Sequence, residues 1–249
     1  MLDHPVVSQE EWLTARKALL LREKEVTHLR DSINADRLAL PWVRVEKQYT
    51  FDTPEGKKSF ADLFEDRSQL IVYHFMLGPG WKAGCPGCSF ICDHFEGTLP
   101  HLNHHDVTLT AISRAPMSEI TAYKTRMGWR FPWASSNGSD FNYDYHVSFT
   151  EDELTEGKVD YNFTETPMTP GPENTERHGL SSFYRDEDSG EIFHTYSSYA
   201  RGHEELLGTL MILDTAPKGR NEGTTGFMRR HDEYEDAPKA HACCSAAND

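Results

Sequence analysis

The chain has 249 residues, 37% of them hydrophobic, with 40 acidic against 25 basic side chains and a formal net charge of −15. That length is enough for one sizeable core with an added arm or tail. The acidic balance argues against a nucleic-acid or anionic-membrane surface, which needs a basic patch, and no apolar run approaches the roughly 20 residues of a membrane span.

The first residues, MLDHPVVSQEEWLTARK, hold no basic segment leading into an apolar stretch. No secretory signal is expected, and a cytoplasmic location follows. The sequons at Asn137-Gly-Ser139 and Asn162-Phe-Thr164 then count as chance matches. Ser8-Gln-Glu-Glu11 reads as a capping box, and Trp12, Leu13, Leu19, Leu20, Val26 and Leu29 recur at helical spacing, so a helical arm is expected over residues 8–37. Pro41 ends it, a strand is expected from Trp42 to Phe51, and Asp52-Thr-Pro-Glu-Gly56 is a turn. KKSFADLFEDR at 57–67 reads as a short helix or turn. Gln69–Leu77 is almost continuously apolar, the pattern of a central strand buried on both faces.

A loop at 78–84 leads to Cys85, Cys88 and Cys92 and into a helix expected over 86–104. Asp106–Ser113 is a second buried strand; Pro116 opens a helix reaching about Met127, and Arg130–Ala134 is a short strand. The Glu-, Thr-, Pro- and Gly-rich stretch 150–178 reads as a long loop. Ser181–Arg185 and Glu191–Tyr196 flank Asp186-Glu-Asp-Ser-Gly190 as a hairpin. A last helix is expected over His203–Ile212, then a mobile tail. The division is an arm at 1–39, a domain at 40–215 and a tail at 216–249. Strand, Cys-bearing helix, strand, helix, hairpin, helix is the order of an α/β thioredoxin-like fold, a central mixed sheet flanked by helices.

Five cysteines, three of them inside eight residues, do not make a disulfide framework; clustered thiols in a cytosolic chain point to redox or metal chemistry. Cys85-Pro-Gly-Cys88 at a helix start suits a redox dithiol with Cys85 as the attacking thiolate, since exposed N–H groups there favour the anion. The same pair can also be half of a zinc site completed by His241, Cys243 and Cys244. Cys88 and Cys92 lie one helical turn apart, and His178 immediately precedes the hairpin. Two thiolates and an imidazole suit copper, with zinc as the competitor. Among other side chains, His101, His104 and His105 read as a solvated helix face, His74 as a hydrogen-bonded core residue, Trp81 and Lys82 as part of an anchored loop, and Tyr143 and Tyr145 as packing residues. His194 reads equally as facing the site or pairing across the hairpin.

YHFMLGPGWKAGCPGCSF, DVTLTAISRAP, FPWASSNGSDFNYDY, SSFYRDEDSGEIFHTYSSYARG and TAPKGRNE, spread over most of residues 40–235, resemble the thioredoxin-like family catalogued as domain of unknown function 899. That resemblance implies a thioredoxin-like fold and a dithiol-disulfide oxidoreductase activity. One departure is Arg177–Ser182, which lacks the proline that thioredoxins carry before the third strand. The Cys88, Cys92 and His178 pattern resembles the Sco-type copper chaperones. Three functions follow: a copper-binding redox protein, extending to a copper-dependent oxidoreductase; a metal-free dithiol oxidoreductase using Cys85 and Cys88; or a non-catalytic copper carrier. Each takes a thiol or small-molecule partner.

Overall fold

A computed structural model describes residues 4–221 and 228–234; His241, Cys243 and Cys244 lie outside them. The chain divides into two compact units, residues 1–42 and 43–249.

The first unit is helix α1 (Gln9–Leu38), opened by the expected capping box, with the Ser8 side chain accepting from the Glu11 N–H and Glu11 reaching back to Ser8. Its Leu, Ala, Arg, Glu and Lys content, without Gly or Pro, favours helix throughout. No residue of α1 is buried.

The second unit runs β1 (Val43–Arg44), β2 (Thr50–Thr53), β3 (Gly56–Ser59), a 3-10 turn at Ala61–Phe64, β4 (Gln69–His74), α2 (Pro86–Cys92), α3 (Leu99–His104), β5 (Val107–Ser113), α4 (Met117–Met127), β6 (Trp133–Ser135) and α5 (Phe141–Asp144). It continues through α6 (Glu151–Glu156), β7 (Lys158–Tyr161), β8 (Thr164–Pro167), β9 (Gly179–Arg185), β10 (Ile192–Tyr199), a 3-10 segment at Ala200–Leu206 and α7 (Gly208–Leu213). Eight strands form one sheet in the order β1-β10-β9-β4-β5-β6-β2-β3, and β7 pairs with β8 apart from it. β4, β5 and β6 are parallel, while β9 runs antiparallel to both β4 and β10. A parallel β–α–β unit with an antiparallel hairpin laid beside its first strand is a thioredoxin-like fold, as expected.

Alternation along β4 sends Tyr73 to one face and Leu70 and Val72 to the other. The first face packs under α2 and α4 with Phe75, Ile91, Phe95, Tyr123, Trp129 and Trp133. The second packs on Phe51, Phe60, Phe141 and Phe183.

Several elements differ from their sequence reading. The expected strand 42–51 is two short strands on opposite sides of the sheet, because β1 pairs with β10 and β2 with β3 and β6. Residues 57–67 hold a strand before the 3-10 turn. The expected helix 86–104 breaks after Cys92, through a turn that holds Gly97, and resumes as α3 with Pro100 in its first turn. The last helix, too, is a 3-10 segment followed by α7, kinked at His203. Residues 150–178 are not a bare loop: Thr150 and Glu153 form a capping box that starts α6, and the β7–β8 hairpin follows.

Candidate active site around the Cys85 and Cys88 pair

Cys85 is the residue that caps α2, and Pro86 fills the first helical position, where a missing N–H costs nothing. The Cys85 N–H donates to the Met76 carbonyl at 3.1 Å, tying the cysteine turn to the segment just past β4. The Cys85 carbonyl accepts from the Ser89 N–H and hydroxyl, each at 2.9 Å, and Ser89 Oγ lies 2.8 Å from the Tyr123 hydroxyl. Gly84 is required here, since a Cβ would come closer than 3.0 Å to the rings of Phe75 and Tyr123.

The C-terminal segment Met228–Tyr234 closes over this turn. Arg230 Nε donates to the Gly84 carbonyl at 2.9 Å and to Tyr123 Oη at 3.1 Å, and its Nη1 meets Glu233 at 2.7 Å. His231 Nδ1 lies 2.7 Å from Asp93 Oδ1, which also accepts from Trp129 Nε1 at 2.8 Å. A Cβ on Gly87 would stand 3.6 Å from Met228 Sδ and 3.9 Å from Cys85 Sγ, so the thioether and the thiol flank this glycine. Part of the stretch expected to be a tail is thus part of the site.

All three described cysteines are free thiols. They differ sharply in environment. Cys85 is half-buried, while Cys88 and Cys92 are fully buried. The hydrogen bond from the Cys88 thiol draws the Cys85 pKa down from 9.0 to about 6; burial opposes it, and the N–H groups of Cys88 and Gly87 and the Arg230 charge add to it. Cys88 is pushed up, by burial first and then by donating to Cys85 and facing its charge; the Tyr73 hydroxyl and the Met76 backbone partly offset this. Burial pushes Cys92 up as well, with the neighbouring Asp93 adding to it. One thiolate next to one held thiol is the charge pattern of an attacking and a resolving cysteine.

Cys85 and Cys88 open onto a cavity of about 540 Å³. Tyr73, His178, His203 and Met228 stand around it. His178 Nε2 lies 3.1 Å from the Ala200 carbonyl and so carries the ring proton. Its ring meets that of His203 edge to face at 5.1 Å. Burial lowers both pKa values, His203 to about 4, so the pair is neutral at pH 7.

The expected metal set does not come together. Cys88 and His178 share the cavity wall, but Cys92 is 0% exposed within the apolar cluster and does not line it. Among the described residues no three His, Cys, Asp or Glu side chains converge as metal ligands. Cys88, Cys92 and His178 therefore do not stand together as ligands of one copper or zinc ion among the described residues, and neither do His101, His104 and His105. The alternative with His241, Cys243 and Cys244 falls outside the described residues.

Of the remaining candidates, His74 is a core residue as expected, with Nε2 2.9 Å from Ser181 Oγ. His194 stays with its hairpin, 2.7 Å from Ser197 Oγ, and does not line the dithiol cavity. Tyr143 accepts from Arg114, and Tyr145 packs in the aromatic core. Trp81 packs half-buried against the core, and Lys82 is absent from the cavity wall. Sequence reasoning missed His203, Arg230 and Met228. His203 lies within the SYARGHEEL run, but nothing in the spacing pairs it with His178. Arg230 is more than a hundred residues from Gly84, and no local pattern links them.

No curated protein matches the chain. The family model described as "Bacterial protein of unknown function (DUF899)" matches residues 1–234. Among solved structures, peroxidoxin BcpB from Mycobacterium tuberculosis is similar at 13% identity, over 70% of this chain and 97% of that one, with a TM-score of 0.43. A mutant of Xanthomonas campestris peroxiredoxin Q is similar at 12% identity, over 66% and 90%, with a TM-score of 0.41. The mitochondrial 2-cys peroxiredoxin from Plasmodium falciparum is similar at 14% identity, over 70% and 94%, with a TM-score of 0.39. Likeness of this degree transfers no activity.

Proposed function

Since the chain belongs to the DUF899 family of bacterial proteins of unknown function, whose name supplies no reaction, we propose from the site itself that it is a dithiol-disulfide oxidoreductase working through Cys85 and Cys88. The carrying observation is the pairing of a thiol lowered to about 6 with a buried donor thiol, both on the wall of one cavity. The Cys85 thiolate attacks a sulfur of a substrate disulfide and expels one thiolate, which takes up a proton. The Cys88 thiol then gives up its proton and displaces Cys85's bound half of the substrate. Two substrate thiols and a Cys85–Cys88 disulfide result, and an external thiol reverses the steps. A reducing compartment such as the cytoplasm keeps the resting pair reduced.

The helix-start geometry suits the bond, because residues three apart there can approach the roughly 4.4–6.8 Å Cα separation of disulfides. Equilibration in thiol/disulfide buffers followed by peptide mapping should show a reversible Cys85–Cys88 link. Cys85→Ser should abolish it and Cys92→Ser should preserve it. Oxidised protein in which Cys85 and Cys88 are never joined to each other would refute the reading.

A further inference from the structure

The cavity beside Cys85 has a definite charge and shape. Its body is carbon, from Tyr73, Ile91, Leu207 and Met228. About 540 Å³ lies in the range that takes small organic ligands, roughly 300–1,000 Å³. Among the described residues three charged side chains border it, Arg201, Glu204 and Arg220, and Asp214, outside the cavity wall, supplies the second carboxylate that balances the two arginines. Glu204 Oε2 accepts from Arg201 Nε at 2.7 Å, and Glu204 Oε1 from Arg220 Nη1 at 2.8 Å. The rest of the Arg220 fork is taken by Asp214, at 2.7 and 2.8 Å. Two guanidinium charges therefore face two carboxylate charges, and the neutral imidazoles of His178 and His203 add none.

A docked peptide finds little here to pair with. β9, the strand that follows His178, is hydrogen-bonded on both sides, to β4 and β10. Just before it, the Arg177 N–H donates to the Val147 carbonyl at 2.7 Å, and the His178 carbonyl accepts from Tyr161 Oη at 2.9 Å. These two backbone groups beside the cavity are therefore already bonded within the chain.

Resting on the dithiol reading, we propose that this cavity selects small, uncharged disulfides with apolar bodies over anionic ones, and that Glu204 sets the selectivity by holding Arg201 and Arg220 in ion pairs. An anionic disulfide would have to break those pairs or enter carbon walls without a counter-charge, and desolvating it there is costly. An uncharged aromatic or alkyl disulfide exchanges water for Tyr73, Ile91, Leu207 and Met228 and reaches the Cys85 thiolate without disturbing them.

The test uses two chromogenic disulfides, uncharged 4,4′-dithiodipyridine and dianionic 5,5′-dithiobis(2-nitrobenzoate). The full chain carries Cys243→Ser and Cys244→Ser so that the tail thiols stay silent. Each rate is divided by that of a free small thiol at equal thiolate concentration. The normalised rates should favour the uncharged probe by about tenfold, the lower end of charge-based selection by a cleft. Glu204→Gln releases positive charge at the wall and should move the ratio toward the dianion by about fivefold. Leu207→Trp, which fills the cavity, should slow the uncharged probe more than it slows the much smaller iodoacetamide. Equal normalised rates in the parent protein, or a ratio that neither substitution moves, would overturn the proposal. Stoichiometry separates this outcome from failure of the dithiol reading. Two chromophores released per Cys85 mean that Cys88 resolves, whatever the selectivity; one chromophore means a persistent mixed disulfide.

Discussion

Replacing Cys88 by alanine should make Cys85 a worse nucleophile at neutral pH even though Cys85 is untouched. Lowering a thiol from 9.0 to about 6 corresponds to about 4 kcal/mol of thiolate stabilisation, and the largest contribution comes from the Cys88 S–H donor. A hydrogen bond to a charged acceptor is worth about 1.5–3 kcal/mol, so its loss should carry the Cys85 midpoint from about 6 to between about 7 and 8. The Gly87 and residue-88 N–H groups and the Arg230 charge remain and keep it below an ordinary thiol. Water entering the vacated volume relieves burial and works in the same direction as those groups, which favours the lower end of the range. The sign follows from the anion: Cys85 reacts above its midpoint, so the wild-type alkylation rate should climb through about pH 6 and level off by pH 7.5, while Cys88→Ala is still rising there. Residue-resolved mass spectrometry of iodoacetamide labelling against pH reads Cys85 separately from the remaining cysteines. A wild-type midpoint above pH 8, or an unmoved midpoint in Cys88→Ala, would refute the thiol-to-thiolate bond as the cause.

Arg230→Gln should raise the Cys85 midpoint by less than Cys88→Ala does, because its charge is a smaller contributor, and should speed amide exchange across Met228–Tyr234, where the 2.9 Å bond to Gly84 is lost. Glu176→Ala should destabilise the fold by about 3–5 kcal/mol in urea unfolding: Glu176 is 1% exposed and accepts from Arg114 Nε and Ser148 Oγ at 2.7 Å each, so its removal leaves a largely buried guanidinium without its counter-charge. Gly84→Ala should cost about 1–3 kcal/mol by forcing Phe75 and Tyr123 apart, with the Tyr123–Ser89 bond at the cysteine turn disturbed as well.

The parts of this fold legible in the sequence are those that local chemistry decides. The α1 capping box, the apolar runs of β4 and β5, Pro116 before α4 and the Asp186–Gly190 hairpin each carry their own signal within a few residues. Misread elements depend on distant partners. Val43 and Phe51 look like one alternating strand, but β1 completes the hairpin edge while β2 joins β6 across the sheet, and only the closed sheet decides that. Thr150 and Glu153 make the same capping box as Ser8 and Glu11, but the Pro- and Gly-rich context around it masks the signal. Cys85 was locatable because strand, turn and helix are contiguous around it. Arg230, His203 and the Glu204 ion pairs were not, because tertiary closure alone brings them to the cavity.

The C-x-x-x-C spacing shows why shared face and shared site differ. Residues 88 and 92 are one turn apart on α2, hence on the same stripe, but also about 6 Å apart along its axis. A helix entering a core at an angle exposes the two ends of one stripe to different surroundings. That stripe meets the cavity at Cys88, with Ile91 beside it; at the far end of α2 Cys92 stays inside the apolar cluster, off the cavity wall, and there behaves as a small hydrophobe. Drawing Cys92 to a metal shared with His178 would mean pulling it from a site where it is 0% exposed and its thiol is held protonated, whereas metal binding needs the thiolate. The C-x-x-C pair demands no such rearrangement: Cys85 stands at the cap of the helix, Cys88 is already its hydrogen-bond donor, and both residues line the same cavity. Between the two spacings, the one that spans the helix boundary is the one placed to do chemistry.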